Sequence, residues 1–220
     1  MLNRSKALVL DFGGVVTRTL FETHDLTERA LGLPAGSLTW RGPFDPDNDP
    51  LWQSMQADEI SERDYWRHRT IEVGKMIDRD WTAMSDFVKA ARGADPQPVI
   101  RPEALEAIDK VRLAGGQLAI LSNELDLFYG SEFRGKLPFL EHFDCIIDAT
   151  YTKVLKPDPR AYQMCCDTLG LAPKDCVFVD DQARNIRGGE AFGMTCVSFD
   201  VLQPKNSYNK AIRALGLTVG

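Results

Sequence analysis

The chain has 220 residues, enough for one full α/β domain with a modest insertion and a core that needs no disulfide bonds. Hydrophobic residues make up 44% and charged residues 26%, and no apolar run reaches the roughly 20 residues that span a bilayer. The net charge is −6 with no basic stripe, which argues against a nucleic-acid partner. No signal-peptide pattern precedes the first apolar run, so we expect a cytoplasmic protein with no membrane partner. The oligomeric state is left open.

The first predicted element is a short apolar run at Ala7–Phe12, which suits a strand buried on both faces. Residues 18–98 then look helical, above all Leu51–Val73 and Trp81–Ala91, with a loop rich in Pro and Asp at 42–50. This stretch holds 10 basic and 15 acidic residues and so carries −5 of the net charge. The loop lacks the central Gly and terminal Glu of an EF-hand, so we expect it to be solvated. An all-helical insertion after the first strand predicts a lid.

Beyond residue 98, short apolar runs alternate with helical patterns. Pro102–Ala114 has apolar residues near helical spacing and stops at two glycines, and a later helix has Asp158 as its N-cap and Gly170 at its end. This alternation predicts an α/β fold with a doubly wound (Rossmann-like), mostly parallel sheet. The strands predicted in this part are Gln117–Leu121, Cys145–Ile147, Cys176–Val179 and Thr195–Phe199.

Polar residues follow the ends of several of these strands, at the edge where ligands bind in open α/β sheets. Carboxylates packed together repel one another unless a cation neutralises them, so a divalent ion with oxygen ligands is expected, and Mg²⁺ is the usual one. Taken alone, each residue could be a helix cap or a surface charge, but the whole set at strand ends favours a site. The set is Asp11, Ser122, Asn123, Lys156, Asp180 and Asp181.

Four segments resemble the motifs of the haloacid dehalogenase superfamily. In motif order they are Leu8–Val16, Ile120–Asn123, Lys156–Pro159 and Val177–Asn185. The resemblance implies a doubly wound core with a helical cap inserted between the first two motifs. We therefore expect residues 1–17 and 99–220 to form the core domain and residues 18–98 to form the cap.

The same resemblance implies a magnesium-dependent hydrolase that acts on a small phosphorylated molecule, with a sugar phosphate among the candidates. Asp11 would be the nucleophile that forms an aspartyl-phosphate. The backbone carbonyl of Gly13 and the carboxylate of Asp181 would hold Mg²⁺ beside Asp11, with Asp180 as a direct or water-mediated ligand.

The phosphoryl group has its own set of expected partners in the second and third motifs. The resemblance implies that the Ser122 hydroxyl, the Asn123 backbone N–H and Lys156 surround this group and face the oxygens on which negative charge builds. Asn185 is expected either to orient the acidic pair or Lys156, or to serve only at the start of a helix.

Gly13 departs from the pattern of most phosphatases of this superfamily, which carry a second Asp there as general acid and base. Some hydrolases of the superfamily resemble this chain in having glycine, and a good leaving group, a water or a cap residue could replace the acid. Glu22, His24 and His68 are candidates on the cap side, although a surface role is the simpler interpretation of each.

Two other interpretations remain open. The haloacid dehalogenases proper also lack the second Asp but work without metal, and Asp180-Asp181 counts against that chemistry; Arg41 would be a candidate contact for their substrate carboxylate. Phosphonoacetaldehyde hydrolase uses a cap lysine, for which Lys75 and Lys89 are available. In the last interpretation, the chain is a weakly catalytic relative that binds a phosphorylated ligand or a partner.

Overall fold

Five parallel strands form a single sheet at the centre of the computed structural model, which describes residues 5–57, 59–92, 96–123 and 125–219. Every neighbouring pair is parallel, in the order β3-β2-β1-β4-β5. The doubly wound sheet predicted from the sequence is confirmed, and it is wholly rather than mostly parallel. The strands are β1 (Ala7–Leu10), β2 (Gln117–Ser122), β3 (Cys145–Asp148), β4 (Cys176–Asp180) and β5 (Thr195–Ser198).

Helices cover both faces of this sheet, which explains why the strands are continuous apolar runs. Side chains alternate across a strand, so Leu8 and Leu10 of β1 pack into one core while Ala7 and Val9 pack into the other. The first face is covered by α5 (Pro102–Leu113) and α10 (Pro204–Ala214) and the second by α8 (Pro159–Leu169) and α9 (Ala183–Phe192).

Among the described residues, four α-helices lie between β1 and α5, and we call the segment that contains them (residues 18–92) the helical insertion. They are α1 (His24–Leu31), α2 (Pro50–Gln56), α3 (Glu62–Met76) and α4 (Met84–Arg92). Their shared core is rich in aromatic side chains. The stretch Leu51–Val73, predicted to be helical, contains parts of two helices, because Ser61 and Asp64 form a capping box that starts a new helix at α3. The boundaries of core and cap stay a prediction.

Pro46, Asp47 and Asn48 are exposed, as the prediction of a solvated loop at 42–50 requires, but Asp49 departs from it. Its carboxylate is fully buried, caps α2 by accepting from Trp52 N (3.0 Å), and accepts from the Tyr65 hydroxyl (2.9 Å). Arg69 forms an ion pair with it at 2.6 Å. A buried carboxylate is tolerated when it is paired and hydrogen-bonded, so this loop is tied to α3.

Two short helices, α6 (Leu125–Tyr129) and α7 (Ala149–Thr152), follow β2 and β3. Helix α8 has the predicted ends: the Asp158 carboxylate accepts from Arg160 N at 2.9 Å, and Gly170 takes the left-handed conformation that ends the helix. Among the described residues, no helix is both long and apolar enough to cross a membrane.

Candidate active site

The carboxyl ends of the three central strands bring the predicted residues to one edge of the sheet. Asp11 directly follows β1, β2 ends at Ser122 and β4 ends at Asp180, and β1 lies between the other two strands. Lys156 comes from the loop before α8. The register of the parallel strands therefore assembles the site from residues that are far apart in sequence.

Lys156 is the centre of this arrangement. Its ammonium group donates to Asp11 Oδ1 at 2.7 Å and to Asp180 Oδ2 at 2.6 Å, and the residue is only 3% exposed. The Asn123 side chain fixes the lysine backbone, because Lys156 N donates to Asn123 Oδ1 (2.7 Å) and Asn123 Nδ2 donates to Lys156 O (3.1 Å). The second motif thus holds the third in place.

Burial and charge shift the pKa of all three central groups. Burial raises the pKa of Asp11 to about 6, although Lys156 opposes the shift. Burial also raises the pKa of Asp181 well above its usual range, and the negative charges of Asp180, Asp11 and Glu62 add to this. Burial alone would lower the pKa of Lys156, but the two carboxylates outweigh burial and raise it. The lysine therefore stays charged while Asp11 and Asp181 resist ionisation.

The carboxylates fit a hard divalent cation. Asp11, Asp180 and Asp181 each offer an oxygen, and these oxygens lie within 4.8 Å of one another. Oxygen ligands of this kind suit Mg²⁺, and a cation would relieve the repulsion that disfavours the ionised form of Asp181. Gly13, the predicted carbonyl ligand, is exposed beside them.

Gly14 is required by the position of Asp181. A Cβ atom on Gly14 would lie 2.7 Å from Asp181 Oδ2, and the residue has a φ of 81°, which favours glycine. The second glycine of the first motif thus leaves room for the acidic pair of the fourth motif. This reason was not visible from the sequence.

Asp180 is held by hydrogen bonds from the start of α9. Asn185 Nδ2 donates to both carboxylate oxygens at 3.1 Å, and Gln182 N donates to Oδ1 at 2.8 Å. The Tyr162 hydroxyl donates to Asn185 O at 2.7 Å. Ser122 is buried at the end of β2, on the strand that adjoins β1. The catalytic roles of these residues stay predictions.

Two contacts join the helical insertion to this edge, and the sequence offered no signal for either. Buried Arg101 donates to Gly14 O (3.1 and 3.0 Å) and forms a two-pronged ion pair with Glu22 (2.7 and 2.5 Å). Glu62, at the start of α3, accepts from Arg184 Nη2 at 2.9 Å, next to the acidic pair. Both pairs hold the insertion over the carboxyl ends of the strands.

The cap-side candidates for a replacement acid have other surroundings. Both oxygens of Glu22 bind Arg101, as described above. His24 is buried against Trp40, and burial together with the charge of Arg41 lowers its pKa to about 4. His68 is exposed, with Nδ1 2.7 Å from Asp64 O. These contacts favour a structural role for each of them.

A cavity of about 610 Å³ is lined entirely by residues between Arg18 and Asp45. Glu22 forms part of its wall, and through Arg101 this wall is linked to the carbonyl of Gly14. Two arginines and two phenylalanines supply most of the remaining lining: Arg18, Arg41, Phe21 and Phe44, with Asp45.

The chain thus combines a doubly wound parallel sheet, acidic residues at the carboxyl edge of that sheet and helices inserted after β1. The chain belongs to the haloacid dehalogenase-like hydrolase family, whose model matches residues 5–193.

Relatives with two different activities are similar to this chain. It is 27% identical over 200 residues to "Phosphatase MT3486" of Mycobacterium tuberculosis, covering 88% of this chain and 87% of that protein. It is 34% identical over 111 residues to "(S)-2-haloacid dehalogenase 1" of Pseudomonas sp. (strain CBS-3), covering 50% of this chain and 48% of that one. For three of the curated relatives it matches, the chain spans between 10% and 48% of their length.

Solved structures of both kinds share the fold. A HAD phosphatase from Thermococcus onnurineus matches with a TM-score of 0.53 and 20% identity, covering 89% of this chain and 86% of that chain. L-2-haloacid dehalogenase from Xanthobacter autotrophicus matches with a TM-score of 0.51 and 20% identity, covering 88% and 77%. At these identities the likeness is one of fold alone.

Proposed function

We propose that this hydrolase is a magnesium-dependent phosphatase that cleaves small phosphorylated metabolites through an aspartyl-phosphate on Asp11. The observation that carries the proposal is the convergence of three carboxylates, Asp11, Asp180 and Asp181, on a buried lysine that pairs with the first two of them. Such a site attracts a divalent cation and, with it, the oxyanion of a phosphate ester.

The reaction would proceed in two displacements. A carboxylate oxygen of Asp11 attacks phosphorus, the P–O bond to the substrate's organic part breaks, and the leaving alkoxide takes up a proton. Water then attacks the phosphorus of the acyl phosphate, the bond between phosphorus and Asp11 breaks, and inorganic phosphate leaves with the carboxylate restored. The proton released in the second step balances the one taken up in the first.

The side chains of the site would prepare these steps. Lys156 holds one oxygen of Asp11 and leaves the other to act as nucleophile, and its charge faces the incoming phosphoryl group. Asn185 and Lys156 fix Asp180 from two sides. The residues that would hold Mg²⁺ are Asp11, Asp180, Asp181 and the carbonyl of Gly13. A bound Mg²⁺ would supply positive charge that stabilises the phosphoryl oxygens as negative charge builds on them.

The organic part of the substrate would enter the 610 Å³ cavity described above. Its lining combines two phenylalanine rings with the arginines Arg18 and Arg41, so it suits a polar metabolite with some apolar surface. The lining contains no feature that selects one sugar or one alcohol. The substrate class therefore remains small phosphorylated metabolites.

Hydrolysis of p-nitrophenyl phosphate with and without Mg²⁺ tests the proposal. Asp11→Asn should lower the rate by at least about 10³-fold because it removes the nucleophile. Asp109→Asn is the matched control, because Asp109 is exposed on α5 and pairs only with Arg112 there. Chelation of Mg²⁺ should abolish the activity of the unmodified protein. Turnover that survives both Asp11→Asn and chelation would refute the proposal.

The glycine at position 13 has a measurable consequence for the substrate. Without an acid there to protonate the leaving group, the first displacement should be much faster for acidic leaving groups than for simple alcohols. Rates across a series of aryl and alkyl phosphates should therefore fall steeply as the pKa of the leaving group rises. A flat dependence would mean that another residue supplies the proton.

Dehalogenation is the second candidate, because the chain is 34% identical to part of an (S)-2-haloacid dehalogenase. It predicts halide release from (S)-2-chloropropionate that a chelator does not affect. The acidic doublet argues against it, since without a metal ion three carboxylates face the single positive charge of Lys156, which disfavours an anionic 2-haloacid. A protein that only binds would turn over neither substrate but would gain thermal stability from Mg²⁺ with vanadate.

A further inference from the structure

A second cavity, of about 390 Å³, lies between α4 of the helical insertion and residues 129–136, which follow the second motif. Neither the predicted site residues nor the 610 Å³ cavity uses these side chains. Its volume is in the range of small-molecule sites, and both structural units contribute to its wall.

Positive charge is concentrated in this wall. Lys89, Arg92 and Lys136 line the cavity against one acidic residue, Glu132, in a chain whose net charge is −6. A cavity with this lining attracts anions although the protein as a whole repels them.

Arg92 is the most informative of these residues, because it is only 8% exposed and, among the described residues, no acidic side chain pairs with its charge. Its guanidinium donates to two neutral oxygens, Thr23 Oγ1 and Arg18 O, both at 2.9 Å. Within the part of the chain that the structure describes, its Nε has no hydrogen-bond partner and no carboxylate forms an ion pair with it. A buried charge without a counter-charge is costly, and an anion in the cavity would relieve that cost.

The opposite side of the cavity is aromatic and firmly packed. The ring centroids of Tyr129 and Phe133 lie 4.5 Å apart, and each ring is in a T-shaped arrangement with the ring of buried Phe12. Tyr129 is also anchored by its hydroxyl, 3.2 Å from Thr17 Oγ1. Such a wall offers a flat ligand a rigid apolar surface.

Gly130 lets the lysine reach this place. A Cβ on Gly130 would lie 3.2 Å from Lys89 Cε and 3.8 Å from Lys89 Nζ. The lysine stem therefore passes over bare backbone and holds its ammonium at the rim of the cavity, next to the aromatic wall.

We infer that this cavity is a binding site for a small aromatic monoanion, whose charge faces Arg92 and Lys89 and whose ring packs against Tyr129 and Phe133. The inference does not depend on the phosphatase chemistry, because it uses none of the residues proposed to act at Asp11.

The test is a calorimetric titration of the full chain with 1-naphthoate, with neutral 1-naphthamide as the comparison ligand. We expect saturable one-site binding of the anion and at least about tenfold weaker binding of the amide, since only the anion supplies a counter-charge. Absence of saturable 1-naphthoate binding, or equal affinity for the two compounds, would overturn the inference.

Three variants locate the site. Lys89→Met should weaken 1-naphthoate binding about fivefold or more, whereas Lys75→Met, an exposed lysine of α3 outside this cavity, should leave it unchanged. Asp11→Asn should also leave it unchanged, so this result separates the cavity from the proposed phosphatase site. Equal losses in both lysine variants, or loss of binding in Asp11→Asn, would refute the assignment.

Discussion

Substitution of Lys156 by methionine tests the electrostatics of the candidate site most directly. The change removes the charge that lies 2.7 Å from Asp11 Oδ1 and 2.6 Å from Asp180 Oδ2, and it leaves two carboxylates with little solvent. Removing one partner of a buried ion pair costs about 3–5 kcal/mol. The remaining carboxylates can take up protons, so we expect a loss near the lower end, about 3 kcal/mol at neutral pH. In a chain of this size, that corresponds to a melting temperature about 6–12 °C lower.

The loss of stability in Lys156→Met should depend on pH in a defined direction. Without the lysine, the pKa of the Asp11 carboxyl in the folded state rises further above its unfolded value of 3.8. The folded variant therefore binds protons more readily than the unfolded chain, so its deficit relative to the unmodified protein grows as the pH rises and shrinks in acid.

Thermal denaturation followed by circular dichroism, near pH 5 and near pH 7.5 and without added metal, measures the effect. Lys174→Met is the matched control, because Lys174 is exposed and precedes β4, at the end of that strand opposite to Asp180. Three results would contradict this prediction: equal stability of the two variants, a larger loss of stability in Lys156→Met at pH 5 than at pH 7.5, or a Lys156→Met protein that is more stable than the unmodified one.

Three further predictions follow from the packing of the site. Gly14→Ala should lower both stability and Mg²⁺-dependent hydrolysis, because its Cβ would lie 2.7 Å from Asp181 Oδ2. The control is Gly36→Ala, since Gly36 has the same φ of 81° but its Cβ would have no atom within 4 Å. This control should lose only the backbone strain, about 1–2 kcal/mol of stability. Equal effects on hydrolysis would contradict this. Asn185→Leu removes both hydrogen bonds that the side chain donates to Asp180, and it should lower the free energy of unfolding by about 1–3 kcal/mol. It should also lower kcat more than it raises KM, and unchanged kinetics would argue against a positioning role. Because burial raises the pKa of the Asp11 carboxyl to about 6, protons should compete with Mg²⁺ there, so calorimetry should find weaker Mg²⁺ binding at pH 5 than at pH 7.5.

Much of the fold could be predicted because its signals are local. The strands are apolar runs that end in polar residues, and helix α8 has its cap at Asp158 and its stop at Gly170 as the sequence indicates. The parallel strand order then brings Asp11 and the acidic pair to one edge, where the structure finds them within reach of one cation. Unbroken apolar runs predict the buried strands, and the rule that ligands bind at the carboxyl ends of parallel strands predicts the edge at which the site lies.

The interactions that could not be predicted join residues far apart in sequence. The pairing of Arg101 with Glu22 links residues 79 positions apart, and that of Glu62 with Arg184 links residues 122 positions apart. Neither pair has a local pattern, since each depends on how the insertion lies on the sheet. The burial of Asp49 could not be predicted for the same reason, because its partners on α3 become neighbours only when the chain has folded.

The place of β1 in the sheet has a consequence for folding. It is the first strand in sequence yet lies between β2 and β4, whose pairing registers begin at Gln117 and Cys176. During synthesis this apolar strand therefore has neither neighbour until residues 117–120 have been made. Pairings of such long range are slow and leave hydrophobic surface uncovered meanwhile. The nascent chain is thus open to aggregation at its N-terminal strand, and chaperones that bind extended apolar segments should recognise it there first.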